Sequence, residues 1–141
     1  MKQSRRQFRV NIINIIYKYE LLDKELNSEQ VFLENKDLNN VEFKQLELIA
    51  KNYNYYKSLI IQFLKTNYPW TKVSPLIRAI LINATHEFFT IEPKIVINEA
   101  IEITKSYFDT EANLYKMVNA ILQNIYKYLV INEAIVRKQN K

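Results

Sequence analysis

Four basic residues near the N-terminus have the types and spacing that phosphate binding requires. They are separated mostly by three or four residues, so they lie along one flank of a helix, and a tyrosine continues that flank. This arginine flank consists of Lys2, Arg5, Arg6, Arg9 and Tyr17. Arginine binds phosphate through two parallel hydrogen bonds and stacks on bases. The flank therefore predicts a nucleic-acid contact, and the alternative is a solvated terminus whose charges only aid solubility.

The net charge of the chain is concentrated in the same segment. The sequence has 20 Lys and Arg residues and 15 Asp and Glu residues, a net charge of +5. Residues 1–19 contain five of the bases and no acid, so bases and acids balance over the remaining 122 residues. A localised positive charge beside an aromatic residue is typical of a nucleic-acid-binding surface.

Composition excludes several classes of protein. The chain has no cysteine, which excludes disulfides and thiolate chemistry, and no glycine, which excludes glycine-rich phosphate loops. No apolar run approaches the ~18 residues of a membrane span, and no small-residue cleavage site follows the basic start. We therefore expect a cytoplasmic protein without a membrane partner.

The sequence offers little for catalysis. His86 is the only histidine, and Thr90 stands where a zinc-protease helix needs a second one. Glu99 and Glu102 lie one helical turn apart and could bind a cation or transfer protons. No other acid or histidine completes such a site, so we interpret them as part of a solvated face. We predict that the chain is not an enzyme and that it has neither a cofactor nor a metal site.

Helical periodicity runs through the whole chain, and no stretch alternates with the period of a strand. The pattern predicts helices over residues 4–26, 29–34, 41–64, 76–89, from 93 onward, and 114–129, with a division near Asn52 or Asn54. Without glycine, asparagine is expected to supply the left-handed residues at helix ends. We predict an all-α fold, a single compact domain over residues 1–141. It has about six to seven helices in two packed halves, about 1–68 and 74–136.

Two of these helices have informative faces. The helix over residues 76–89 is apolar on most sides, which indicates a central position. On the first helix the predicted core stripe is Phe8, Ile12, Ile15, Ile16, Tyr19 and Leu22. The arginine flank lies beside this stripe, so we expect the fold to survive substitution there.

Four sequence blocks, in the right order along the chain, resemble one known family. Residues 96–105, VINEAIEITK, are similar to the INEAVELAK block of the NusB family of transcription antitermination factors. Residues 116–122, KMVNAIL, resemble its KFVNGVL block, and residues 80–87, ILINATHE, its ILRIALYE helix. The RRxxR of residues 5–9 with Ile16 and Tyr17 is similar to the arginine-rich start and LY pair of the family.

The resemblance implies a small all-α protein that binds RNA. Members of the family bind the single-stranded boxA element of nascent RNA together with the ribosomal protein NusE, and the complex joins RNA polymerase in ribosomal RNA transcription. Carried over to this chain, the RNA contacts are Arg5, Arg6, Arg9 and Tyr17, with Lys116 before the VNA block; the residues alone add Lys2.

This chain departs from the family blocks at several positions. Ile77 and Ile82 stand where the family has an acid and an arginine, and the sequence alone does not decide whether the protein-partner surface is intact. One alternative to RNA binding stays open, a helical protein-interaction module that forms a homodimer. A NusB-like domain also forms the front of some ribosomal RNA cytosine methyltransferases, but this chain lacks the cysteines and the cofactor loop that such an enzyme needs, so the sequence does not predict that activity.

Overall fold

The computed structural model describes residues 3–109, 113–132 and 134–135. These residues form seven α-helices and a short 3-10 turn, and none of them lies in a strand, which confirms the predicted all-α fold. The elements are α1 Arg5–Leu21, α2 Ser28–Glu34, α3 Asn40–Lys51, α4 Tyr53–Gln62, the turn Trp70–Lys72, α5 Pro75–Glu87, α6 Pro93–Phe108 and α7 Leu114–Ile131. The division into halves at 1–68 and 74–136 stays a prediction, and residues 1–2, 110–112, 133 and 136–141 lie outside the described residues.

Polar side chains and prolines begin the helices where the sequence predicts. Ser4 accepts a hydrogen bond from the Gln7 amide and caps α1. Asn39 and Glu42 form a reciprocal capping box at the start of α3. Pro75 and Pro93 occupy the first turns of α5 and α6, where the missing N–H of proline costs nothing. Each of these residues sets the position at which a helix begins.

Two of the three left-handed residues in the described part of this glycine-free chain are aspartates, whereas the sequence analysis expected asparagine. The positive-φ residues of the described chain are Asp23, Asp109 and Asn113, with φ of 53°, 57° and 55°. Short polar side chains tolerate this left-handed region because they bond to the local backbone. Asp23 follows α1, which ends at Leu21 rather than at residue 26, and Leu22 is consequently exposed.

Helix α5 lies at the centre of the fold, as its apolar faces predict. It packs against α1, α3, α4, α6 and α7. Ile77, Ile80, Leu81 and Ile82 are all 0% exposed and belong to one cluster of buried residues. Ile77 and Ile82 are therefore core residues, and neither side chain is exposed to a protein partner.

A polar cluster ties the 3-10 turn to the helical body. Arg78 on α5 donates from Nε and Nη2 to the carbonyl oxygen of Trp70, at 3.0 and 2.8 Å, and its guanidinium lies 5.1 Å from the centroid of the indole ring. The Tyr53 hydroxyl donates to Glu20 of α1, and burial with this contact raises the pKa of Tyr53. Nη1 of Arg78 also lies 3.6 Å from Oε1 of Glu20, so the cluster joins α1, α4 and α5. Among the described residues no helix has the length and apolarity to cross a membrane.

Candidate nucleic-acid interface

The structure separates the members of the arginine flank. Arg5 is exposed, and the side chain of Arg6 retains 54% of its exposure. Arg9 is buried, with only 4% of its surface accessible. Tyr17 is half-buried and packs against the core, and Lys2 lies outside the described residues. The exposed part of the flank in the described chain is therefore Arg5 and Arg6 at the start of α1.

Arg6 is paired with a carboxylate from α6. Its Nε donates to Oε1 of Glu99 at 3.1 Å, and its Nη2 donates to Oε2 at 2.6 Å. This two-point geometry matches the guanidinium fork to the carboxylate. It also corrects the interpretation of Glu99 as part of a solvated face, because the Glu99 side chain keeps only 19% of its exposure.

Arg9 forms a buried pair with Glu87 at the end of α5. Its Nε donates to both carboxylate oxygens of Glu87, each at 3.0 Å, and both side chains are 5% exposed. Nη1 of Arg9 also lies 3.6 Å from Oε1 of Glu99. The amide of Asn83 donates to Glu87 at 3.3 Å, and Gln45 of α3 donates to Asn83 at 3.0 Å. A continuous polar network therefore runs from α3 through α5 and α1 to α6.

Burial and pairing move the pKa values of the two carboxyls in opposite directions. Burial raises the pKa of Glu87 above its ordinary value, and the nearby Arg9 only partly opposes this. The hydrogen bonds from Arg6 lower the pKa of the more exposed Glu99. With both acids ionised, two arginines face two carboxylates, so the network carries no net charge. Much of the positive charge that the sequence places on α1 is therefore neutralised by α5 and α6.

The prediction that Arg9 contacts RNA is not supported by its position, and the reason is the rotation of α1. Ile13 is 1% exposed, although the predicted core stripe does not contain it. Including it moves the centre of the buried face toward Arg9, which stands two helical turns before Ile16. The expectation that the whole flank lies outside the core is therefore wrong for Arg9 and for the packed ring of Tyr17. The same phase signal in the sequence identifies Arg9 as buried.

Lys116 belongs to a different helix from the arginines, α7. It is exposed near the start of α7 and lines a groove of about 740 Å³ together with Phe63, Tyr68 and Met117. Among the described residues no hydrogen bond or ion pair links Lys116 to α1. The C-terminal part of α6, by contrast, does contact α1: the Tyr107 hydroxyl donates a hydrogen bond to Oδ1 of Asn14 at 3.1 Å. The structure thus joins Arg6 and Arg9 in one network and leaves Lys116 outside it.

His86, the only histidine of the sequence, has a structural partner. Nδ1 of His86 lies 2.8 Å from the Tyr56 hydroxyl, and burial lowers the pKa of His86. Over residues 3–109, 113–132 and 134–135, no group of three or more His, Asp or Glu residues could hold a metal ion. Glu87 and Glu99, which the sequence alone does not pair with any base, bind the arginines of α1.

Comparison with protein families matches residues 6–127 of this chain to the NusB family. The matched range contains four of the proposed RNA-contact residues and begins after the other two; inside it are Arg6, Arg9, Tyr17 and Lys116, and before it are Lys2 and Arg5.

Individual relatives and a solved structure agree with that match. A transcription antitermination protein NusB of Fusobacterium nucleatum is 36% identical over 105 residues, which is 72% of this chain and 66% of that protein. The protein of the same name from Methylacidiphilum infernorum is 32% identical over 134 residues, 88% of this chain and 91% of that protein. The solved structure of T. maritima NusB has 29% identity and a TM-score of 0.72 over 90% of this chain and 93% of that one. These matches confirm the resemblance of the sequence blocks, and the names are those of antitermination proteins rather than of enzymes.

Proposed function

Because this chain belongs to the NusB family, we propose that it is a transcription antitermination factor that binds single-stranded RNA of the boxA type. It does so together with the ribosomal protein NusE and acts with RNA polymerase in ribosomal RNA transcription. The observation that carries the RNA contact is the pair of adjacent arginines at the start of α1, Arg5 and Arg6, which remain exposed on a capped helix.

The contact surface is smaller than the arginine flank suggests. Arg9 is buried against Glu87, with 4% of its surface accessible, so we propose that its part is to fix α1. For single strands, log K falls with log salt by about 0.7 for each phosphate neutralised. Arg5 and Arg6 together then account for a slope of about −1.4. Lys2 and Lys116 stay proposed contacts and would steepen the slope, and Tyr17 would contribute a partly exposed ring for stacking.

A salt titration with matched variants tests this proposal. The full chain is titrated with a boxA-like single-stranded RNA and with a scrambled RNA of the same composition, by fluorescence anisotropy. We expect the Arg5→Gln/Arg6→Gln variant to lose affinity for both RNAs and to have a slope shallower by about 1.4. The control variant Lys18→Gln/Lys24→Gln removes the same charge from exposed positions near the other end of α1 and is expected to change the slope much less.

The titration is repeated with the ribosomal protein NusE present. We expect the affinity for the boxA-like RNA to increase and the affinity for the scrambled RNA to change little. If the parent chain binds neither RNA at low salt, even with NusE, the proposal is wrong. Elution of such a non-binding chain as a dimer in gel filtration would favour the alternative of a protein-interaction module.

A further inference from the structure

We infer that Glu99 is a positioning residue of the RNA site: it holds the guanidinium of Arg6 by its inner edge so that the outer edge faces an RNA phosphodiester. The inference rests on the proposed function, since it assigns the residue that prepares Arg6 for its ligand. Neither the sequence blocks nor the charge pattern of α1 indicates this role.

The donors of Arg6 divide into two sets. A guanidinium has five N–H donors in one plane. Nε–H and one N–H of Nη2 bind the two oxygens of Glu99, at 3.1 and 2.6 Å. Three donors remain, two on Nη1 and one on Nη2, and no described side chain accepts them. Two of them, one on each Nη, are parallel on the outer edge of the plane, where they can bind one phosphate.

Glu99 is itself held in place, which is what a positioning residue requires. Its Oε1 accepts from Arg6 and lies 3.6 Å from Nη1 of Arg9. Arg9 in turn is fixed by the buried Glu87, so Glu99 is anchored to α5 through Arg9 as well as to its own helix. Arg6 by contrast keeps 54% of its side-chain exposure. A mobile, exposed arginine is thereby restricted before the ligand arrives, which lowers the ordering cost of binding.

A carboxylate beside an arginine could act in the opposite way, by competing with the phosphate. The two roles predict different signs. If Glu99 positions Arg6, removing Glu99 reduces what Arg6 contributes to RNA binding. If Glu99 competes, removing it increases that contribution. Because any lost acid also raises the positive charge, the test needs a control variant that removes an acid without breaking a hydrogen bond to Arg6. Glu102 provides it, since it is exposed, lies three residues after Glu99 on α6 and makes no hydrogen bond to Arg6.

The test is a double-mutant cycle in RNA affinity at fixed salt, with Arg6→Ala, Glu99→Gln, their combination, and Glu102→Gln as the control. We expect Arg6→Ala to weaken binding about tenfold in the parent, the scale of a charged hydrogen-bonded contact, and only about threefold or less in the Glu99→Gln background. Glu99→Gln should bind RNA less tightly than Glu102→Gln. Equal effects of Arg6→Ala in both backgrounds, or a larger effect without Glu99, would overturn the inference.

Thermal unfolding shows whether the Glu99→Gln variant is folded. If it is not, a second variant, Arg6→Lys, tests the inference. Arg6→Lys keeps the charge but cannot be held at two points. If Glu99 positions a fork, Arg6→Lys loses nearly as much affinity as Arg6→Ala, and binding as tight as that of the parent would refute the role. A parent chain that binds no RNA removes the proposed function and this inference together, whereas a parent that binds without coupling removes the inference alone.

Discussion

Replacing Arg9 with methionine removes one partner of the buried pair with Glu87. Both side chains are 5% exposed, so the variant leaves a carboxylate in the core without its cation. Breaking a buried pair in this way costs about 3–5 kcal/mol. The same substitution at Arg6, which breaks the more exposed pair with Glu99, is expected to cost less than about 1 kcal/mol. Denaturant unfolding followed by circular dichroism measures both.

The pH dependence identifies the group responsible. Burial raises the folded-state pKa of Glu87 above its unfolded value, so the folded state favours the protonated carboxyl. Stability linked to Glu87 is therefore present below the unfolded pKa and is lost as the pH rises through the folded pKa. Without Arg9 that pKa rises further, because Arg9 lowers it in the parent. The deficit of Arg9→Met should be largest near about pH 7 and should shrink toward about pH 5.

Two results would refute this reasoning. A loss below about 1 kcal/mol at neutral pH would mean that Arg9 and Glu87 are not a desolvated pair. A deficit that is independent of pH would mean that lost packing of the arginine stem, rather than the carboxylate, is the cause.

Two further substitutions test the central helix. Leu81→Ala should lower the free energy of unfolding by about 2–5 kcal/mol, because Leu81 is fully buried, and a loss under about 1 kcal/mol in denaturant unfolding would contradict that. Ile82→Arg restores the residue of the family block but buries an unpaired charge, so it should reduce stability more than Ile82→Val does, and a thermal unfolding temperature equal to that of the parent would show that position 82 reaches the surface.

Helices were predictable because their signals are local. The 3.6-residue period, the caps at Ser4 and Asn39 and the prolines at 75 and 93 each act within one turn, and the structure has helix starts there. The predicted division of the long helical pattern near Asn52 is confirmed, since α3 ends at Lys51 and α4 begins at Tyr53. The predicted end of α1 at residue 26 is wrong, because α1 ends at Leu21. Asp23 follows with a positive φ, and the sequence analysis expected asparagine at such positions.

The candidate site was less predictable because it depends on partners far along the chain. Arg6 and Glu99 are 93 residues apart, and Arg9 and Glu87 are 78 apart. No spacing rule connects such residues without a fold. The charges of residues 1–19 sum to the correct net charge but do not predict the exposed positive surface. Acids from α5 and α6 neutralise two of the arginines, Arg6 and Arg9. Lys18 is likewise paired, with Glu34 of α2 at 3.0 Å.

The buried pair and the exposed arginines therefore have separable parts in RNA binding, and one variant separates them. In Arg9→Met/Glu87→Leu both charges are gone, so no buried carboxylate is left and stability should recover most of what Arg9→Met loses. If Arg9 only fixes α1 against α5, RNA affinity should stay within about twofold of the parent, as for sites that do not couple to the ligand. If Arg9 leaves the core to reach a phosphate, the same variant should lose affinity, and its salt slope should fall by about 0.7. If the variant unfolds like the parent but loses affinity with that change in slope, Arg9 contacts the RNA despite its burial in the free protein.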